Sequence, residues 1–73
     1  MPTKQELMDL GSASAVVDFA NAQYGVSKTL KTVTLSGGVK EVMLKKADQS
    51  TFSGQGNSNL EAVADAVSTA FPA

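Results

Sequence analysis

The residues that could perform catalysis are few, because the chain has no cysteine and no histidine. Nucleophilic catalysis needs an activated nucleophile with a base beside it, which leaves Ser or Thr with Lys, or paired carboxylates. Glu61 and Asp65 are four residues apart, on the side of a predicted helix that faces away from its apolar stripe. Glu6 and Asp9 lie at a predicted helix start, where the helix dipole favours acidic residues. A solvated face explains both pairs, so we expect no catalytic residue and no enzymatic activity.

The segment SGQGNS, residues 53–58, is the clearest candidate for an anion-binding loop. Its two glycines precede a predicted helix start, where free N–H groups and the dipole favour a phosphate. A P-loop would end in Gly-Lys-Ser/Thr and a dinucleotide motif would have a third glycine, whereas those positions here hold Asn and Ser. We interpret the segment as a flexible connection and expect no cofactor. Without cysteine or histidine, we expect no structural zinc site either.

Basic residues are concentrated in the middle of the chain. Residues 28–46 contain five lysines and one glutamate, a net charge of +4, although the whole chain has a net charge of −1. The chain has no arginine, the residue that most often reads guanine, and no aromatic residue lies between these lysines to stack on a base. Nucleic-acid binding through this segment is therefore a minor alternative, and an acidic protein partner is favoured over it.

The chain begins and ends with a predicted helix. Each start has a hydroxyl residue followed three positions later by glutamate, which is the spacing of a capping box. We predict helices over about residues 3–24 and 59–71, ended by Gly25 and by Pro72. Gly11, in the middle of the first helix, either bends it or splits it in two.

The stretch TLSGGVKEV, residues 34–42, predicts a β-hairpin. Gly37 and Gly38 suit the two central positions of a type I′ turn, since both positions need a positive φ. We therefore predict strands over about residues 29–36 and 39–46. In this register Val33 faces Val42, and one face of the hairpin collects four apolar residues, Val33, Leu35, Val42 and Leu44.

Residues 47–57 are polar and contain two glycines, so we predict a loop. Its apolar Phe52 either pins the loop to the core or extends a short third strand. The chain as a whole, residues 1–73, is predicted to form a single α+β domain of helix–β-hairpin–helix order, with a small antiparallel sheet of two or three strands packed against two helices. This order at this length resembles that of small phage head–tail joining proteins, and the resemblance implies a virion component of the connector, decoration or joining type.

The first predicted helix is apolar on two sides. One stripe contains Leu10, Ala13, Val17, Ala20 and Tyr24. A second arc contains Leu7, Met8, Ala15, Phe19 and Ala22. Either the rest of the protein wraps this helix, or the second arc contacts a partner. A chain this small buries only about 60% of the surface that its unfolded form exposes, which favours the partner. We therefore predict the second arc as the partner contact, with a weaker second contact at Lys40, Lys45, Lys46 and Phe52.

These features together predict a non-enzymatic structural or interaction subunit that acts through protein–protein assembly, as a homo-oligomer or within a larger complex. The alternative is a small inhibitor or adaptor that binds one host protein. The first ten residues mix charges of both signs, so they do not predict a secretory signal. No apolar run is long enough to cross a bilayer. We expect no membrane association, no secretion, and a location in the cytoplasm or in a virion assembled there.

Overall fold

The computed structural model describes residues 3–27 and 31–71. In these residues the chain forms α1 (Lys4–Met8), α2 (Ala13–Tyr24), β1 (Lys31–Thr34), β2 (Lys40–Lys45), β3 (Thr51–Gly56) and α3 (Asn59–Ala70). The strands form an antiparallel sheet in the order β1-β2-β3, so the predicted α+β class is confirmed, with three strands. Pro72, and residues 29 and 30 of the first predicted strand, lie outside the described residues.

The first predicted helix is two helices, because the chain breaks at Gly11. This residue has a φ of +97°, a conformation that glycine adopts easily and other residues avoid. Ser12 then caps a new helix, since its hydroxyl oxygen accepts a hydrogen bond from the Ala15 N–H at 3.1 Å. Of the two alternatives, a bend or a split at Gly11, the split is therefore correct, and the helix predicted over about residues 3–24 is divided into α1 and α2. The break lets α1 and α2 pack separately against α3.

Both helix starts predicted from the sequence are confirmed. At Thr3 the full capping box forms, with the Glu6 carboxylate accepting from the Thr3 N–H at 3.0 Å. At the start of α3, the Ser58 hydroxyl accepts from the Glu61 N–H at 3.1 Å. Gly25 ends α2 in the left-handed conformation, with a φ of 71°, as its position predicts.

The β1–β2 register differs by one residue from the predicted one. Gly37 and Gly38 both have a φ of 80°, as predicted, but the turn contains a third residue, Ser36. The Leu35 N–H donates to the Val39 carbonyl at 2.6 Å, so three residues instead of two connect the strands. As a result Val33 faces Glu41 and not Val42. A one-residue shift moves every side chain of a strand to the opposite face of the sheet.

The segment predicted as a loop over 47–57 is a short turn followed by β3. Asp48 organises the turn, because its Oδ1 accepts from the N–H of Ser50 at 2.9 Å and from its hydroxyl at 2.6 Å. These two hydrogen bonds hold the pKa of the exposed Asp48 carboxyl below its ordinary value. Phe52 lies opposite Leu44, so it belongs to a third strand, which is one of the two alternatives predicted for it.

The glycines of β3 let α3 lie directly against the strand. Gly54 is buried, and a Cβ on it would lie 2.5 Å from the Ala62 carbonyl oxygen and would overlap the backbone nitrogen of Ala66. A Cβ on Gly56 would likewise collide with the side chain of Glu61. The prediction of a flexible connection at residues 53–58 is therefore wrong for these glycines, whose small size permits close strand–helix packing.

The core lies between the helices and one face of the sheet. Its fully buried large side chains come from every layer and are Leu7, Val16, Val26, Val42, Leu44, Val63 and Val67. An aromatic cluster closes one end, where Phe71 stacks on Tyr24 with ring centroids 4.2 Å apart and meets Phe52 edge-on at 5.8 Å. Burial of these side chains is the main favourable contribution to folding.

We predict that Gly54→Ala destabilises the protein by about 1–3 kcal/mol, the usual cost of forcing extra atoms into a packed interior. The cause is the overlap of the new Cβ with the α3 backbone, which is less able to move than a side chain. Urea unfolding followed by circular dichroism measures the change. Ser53→Ala is the matched control, because Ser53 is exposed and is expected to tolerate the change. An unchanged midpoint in Gly54→Ala would show that α3 does not lie this close to β3.

Candidate interaction surface

The five residues predicted as a partner contact do not lie on one exposed surface. Leu7 is fully buried in the protein's own core, which removes it from the predicted contact. Met8 and Phe19 are partly buried and pack against the same core. Ala15 is half-buried and Ala22 is exposed. The physical reason is the break at Gly11, because α1 packs separately from α2 and directs Leu7 into the core.

Leu10 is more exposed than predicted, whereas Leu7 of the predicted contact is more buried. The sequence places it in the buried stripe of a continuous helix, but its side chain is 45% exposed. Leu10 lies in the turn that closes α1, where its N–H donates to the Leu7 carbonyl at 3.1 Å. It therefore adds an exposed apolar side chain next to the α1–α2 connection.

The four residues of the weaker second contact are divided between two faces of the sheet. Phe52 faces the helices, whereas Lys45 lies opposite Thr51 on the other face. The Lys40 Nζ donates to the Thr34 Oγ1 at 2.9 Å. The Lys46 Nζ lies 5.3 Å from the centroid of the Phe71 ring and 6.0 Å from that of Phe52, in reach of a cation–π interaction. The four side chains therefore do not form a single contact surface.

The carboxylates considered for catalysis bind the protein's own backbone. Asp65 Oδ2 accepts from the Gln55 N–H at 3.1 Å, and Glu61 Oε1 accepts from the Asn57 N–H at 2.6 Å. Asp65 also forms an ion pair with Lys4 at 3.8 Å. In the described ranges, no three acidic side chains come together in a way that could hold a metal ion. These hydrogen bonds give Asp65 and Glu61 a structural role along the outer edge of β3.

The sheet is covered by helices on one face only. Val42, Leu44 and Gly54 lie on the covered face and are buried. The opposite face, here called the open face, contains four apolar side chains that are partly exposed and do not pack against the core, namely Val33, Leu35, Val39 and Met43. An antiparallel sheet with one solvated face normally presents polar residues there. The four apolar side chains on the open face instead indicate a contact surface there.

Charged residues are interspersed with the apolar residues of the open face. Glu41 lies between Val33 and Gln55 in the register, and the Gln55 amide nitrogen donates to Glu41 Oε2 at 2.9 Å. Lys31 lies opposite Met43, with Lys45 two residues further along β2. A mixture of apolar and charged side chains is the usual composition of a non-obligate protein–protein interface.

The alternating apolar and polar residues of β1 predict that one face of the strand is apolar. They do not determine whether that face points toward the helices or toward solvent. Val33 and Leu35 alternate with Thr32 and Thr34, so either set can face the helices depending on the length of the turn. The expected two-residue turn directs the apolar set inward. The observed turn includes Ser36 and directs that set outward, toward solvent.

Comparison of the chain with protein-family models, with curated proteins and with solved structures finds no match. In the described part of the chain, none of the helices has the length and hydrophobicity needed to cross a bilayer.

We predict that deletion of Ser36 preserves the fold. The deletion leaves Gly37 and Gly38 as a two-residue turn between Leu35 and Val39, which are already paired, so that no side chain changes face. Thermal unfolding by circular dichroism is expected to show a melting temperature close to that of the wild type. Deletion of Thr34 is the control, because it moves the preceding residues of β1 to the opposite face. If deletion of Ser36 destabilised the protein as much as deletion of Thr34, the register described above would be incorrect.

Proposed function

We propose that this protein is a non-enzymatic subunit of a homo-oligomeric assembly, and that it acts through contacts made by the open face of its sheet. The observation that supports the proposal is the position of Val33, Leu35, Val39 and Met43, which are partly exposed and outside the core. Burial of apolar surface drives most protein–protein association, so a cluster of this kind favours a contact.

The roles of the polar residues also support a contact function over a chemical one. Glu61 and Asp65 are engaged by the backbone of β3, and Gly54 and Gly56 are used for packing against α3. The side chains that resemble chemical motifs in the sequence thus have structural partners within the domain. The open face, by contrast, presents apolar side chains that the domain itself covers only in part.

The small size of the domain provides a reason for assembly. A chain of 73 residues has three helices in its described part, and these pack on each other and on one face of the sheet. A domain of this size gains little stability from its own core, and neither disulfides nor zinc ligation by cysteine or histidine can supplement it. Contacts between copies would bury the open face and supply stability that a single copy lacks.

The test compares the wild type with the double variant Val39→Thr with Met43→Glu. These changes remove apolar atoms from the open face, while threonine suits a strand and the new carboxylate would lie opposite Lys31. Light scattering after size exclusion, over a wide concentration range, is expected to give the wild type a mass above that of the 7.5 kDa chain and rising with concentration. The variant is expected to remain at the chain mass.

The control is Asp18→Lys with Gln23→Lys, which changes exposed polar positions of α2, away from the open face, and is expected to assemble like the wild type. Circular dichroism of each variant establishes that it is folded. A wild type that stays at the chain mass at every concentration would contradict the proposal. So would a double variant that assembles as well as the wild type.

A further inference from the structure

The two edges of the sheet differ in what covers them. On the outer edge of β3, the N–H groups of Gln55 and Asn57 donate to carboxylates of α3. On the other edge, β1 pairs with β2 on one side, and no other element in the described part of the chain hydrogen-bonds to its outer backbone. An uncovered strand edge is a ready template for pairing with another strand.

The hydrogen bond at the turn shows which groups of β1 point outward. The Leu35 N–H points toward β2, because it donates to the Val39 carbonyl. Backbone groups alternate in direction along a strand, so those of Val33 also point toward β2. The N–H and C=O groups of Thr32 and Thr34 therefore point away from the sheet, at its free edge.

We infer that two copies of this chain pair edge to edge through β1 in an antiparallel register, with Val33 opposite Val33 of the second copy on a twofold axis. This inference rests on the proposed function and specifies its first contact. In this register Thr32 lies opposite Thr34 of the second copy, so every outward N–H and C=O of the two threonines finds a partner. A register that pairs Thr34 with Thr34 places Thr32 opposite Ser36 of the second copy, which lies in the turn, so it satisfies only half of them.

The side chains agree with the same register. Lys31 lies opposite Leu35 of the second copy, so the two Lys31 ammonium groups do not face each other. The threonine side chains form cross-strand Thr–Thr pairs, which are favourable in sheets. These side chains are exposed, because Thr32 and Thr34 lie at the margin of the sheet, where the helices do not bury them.

Pairing also joins the two open faces. Val33 lies on the open face at the twofold axis, and Leu35 and Val39 extend from it in each copy. The paired sheet therefore presents one diagonal apolar strip, on which further copies can assemble, whereas Lys31 separates Met43 from that strip. The edge contact and the open face thus act together, since the edge contact sets the two apolar surfaces side by side and burial of the open face supplies the stability without which the copies stay apart.

The first test uses Val33→Cys, which introduces a single thiol into a chain that has none. On the twofold axis the two Cα atoms would be about 4.5 Å apart, as in a non-hydrogen-bonded antiparallel pair. That separation is within the range of about 4.4–6.8 Å that a disulfide spans. Under mild oxidation we expect a disulfide-linked dimer to form several-fold faster than in Met43→Cys, a control on the same face but away from the axis. Equal rates would overturn the inference.

The second test uses Thr32→Pro, which removes an outward N–H group that the folded monomer does not use. Proline is tolerated at an edge strand when its nitrogen faces solvent. We expect the variant to keep the melting temperature of the wild type in dilute solution and to lose the dimer in light scattering, whereas Thr32→Ala, which keeps the N–H group, retains it.

The results separate this inference from the proposed function. If Thr32→Pro is folded and associates as the wild type does, while the open-face double variant does not, the assembly proposal stands and pairing through β1 is wrong. If the wild type remains at the chain mass of 7.5 kDa throughout, both are wrong. If Thr32→Pro fails to fold, the disulfide rate of Val33→Cys relative to Met43→Cys decides the question alone.

Discussion

The close approach of α3 to β3 is the constraint on which the rest of the structure depends. Because Gly54 has no side chain, the backbone of the helix at Ala62 and Ala66 lies against the strand itself. This contact commits α3 to one face of the sheet, where Val63 and Val67 complete the core. The α1 and α2 helices then pack on α3, so all three helices lie on the same side of the sheet. The opposite face is left without cover from the described helices.

The turn at residues 36–38 determines what that uncovered face presents. Its additional residue, Ser36, sets the β1–β2 register, in which Val33 and Leu35 point away from the core while Thr32 and Thr34 point toward the helical side. A domain that used its apolar residues only for its own stability would favour the reverse orientation, because burial of valine and leucine stabilises a fold more than burial of threonine. The observed orientation becomes favourable if another copy of the chain covers these residues, because their apolar surface is then buried.

Signals between neighbouring residues predicted the local structure correctly. Features that depend on contacts between distant residues could not be predicted in the same way. The caps at Thr3 and Ser58 and the left-handed Gly25 are determined by neighbouring residues, and each was correctly predicted. The register was missed because two-residue and three-residue turns both suit Gly37 and Gly38, so no local pattern separates them. The β3 strand was predicted as only one of two alternatives because its glycines resemble a loop, and only packing against α3 makes them favourable. The residues of the open face are determined by the β1–β2 register. Because the predicted register was wrong, the open face could not be predicted either.

Amide hydrogen exchange at low and high protein concentration tests the central claim most directly, because it reports on individual backbone groups. We predict that the amides of Thr32 and Thr34 exchange rapidly in dilute solution and become protected as concentration rises. The amides of Gln55 and Asn57, which already donate to α3, should be equally protected at both concentrations. Protection of Thr32 and Thr34 that does not depend on concentration, or rapid exchange of both at every concentration, would contradict assembly through the uncovered edge of this sheet.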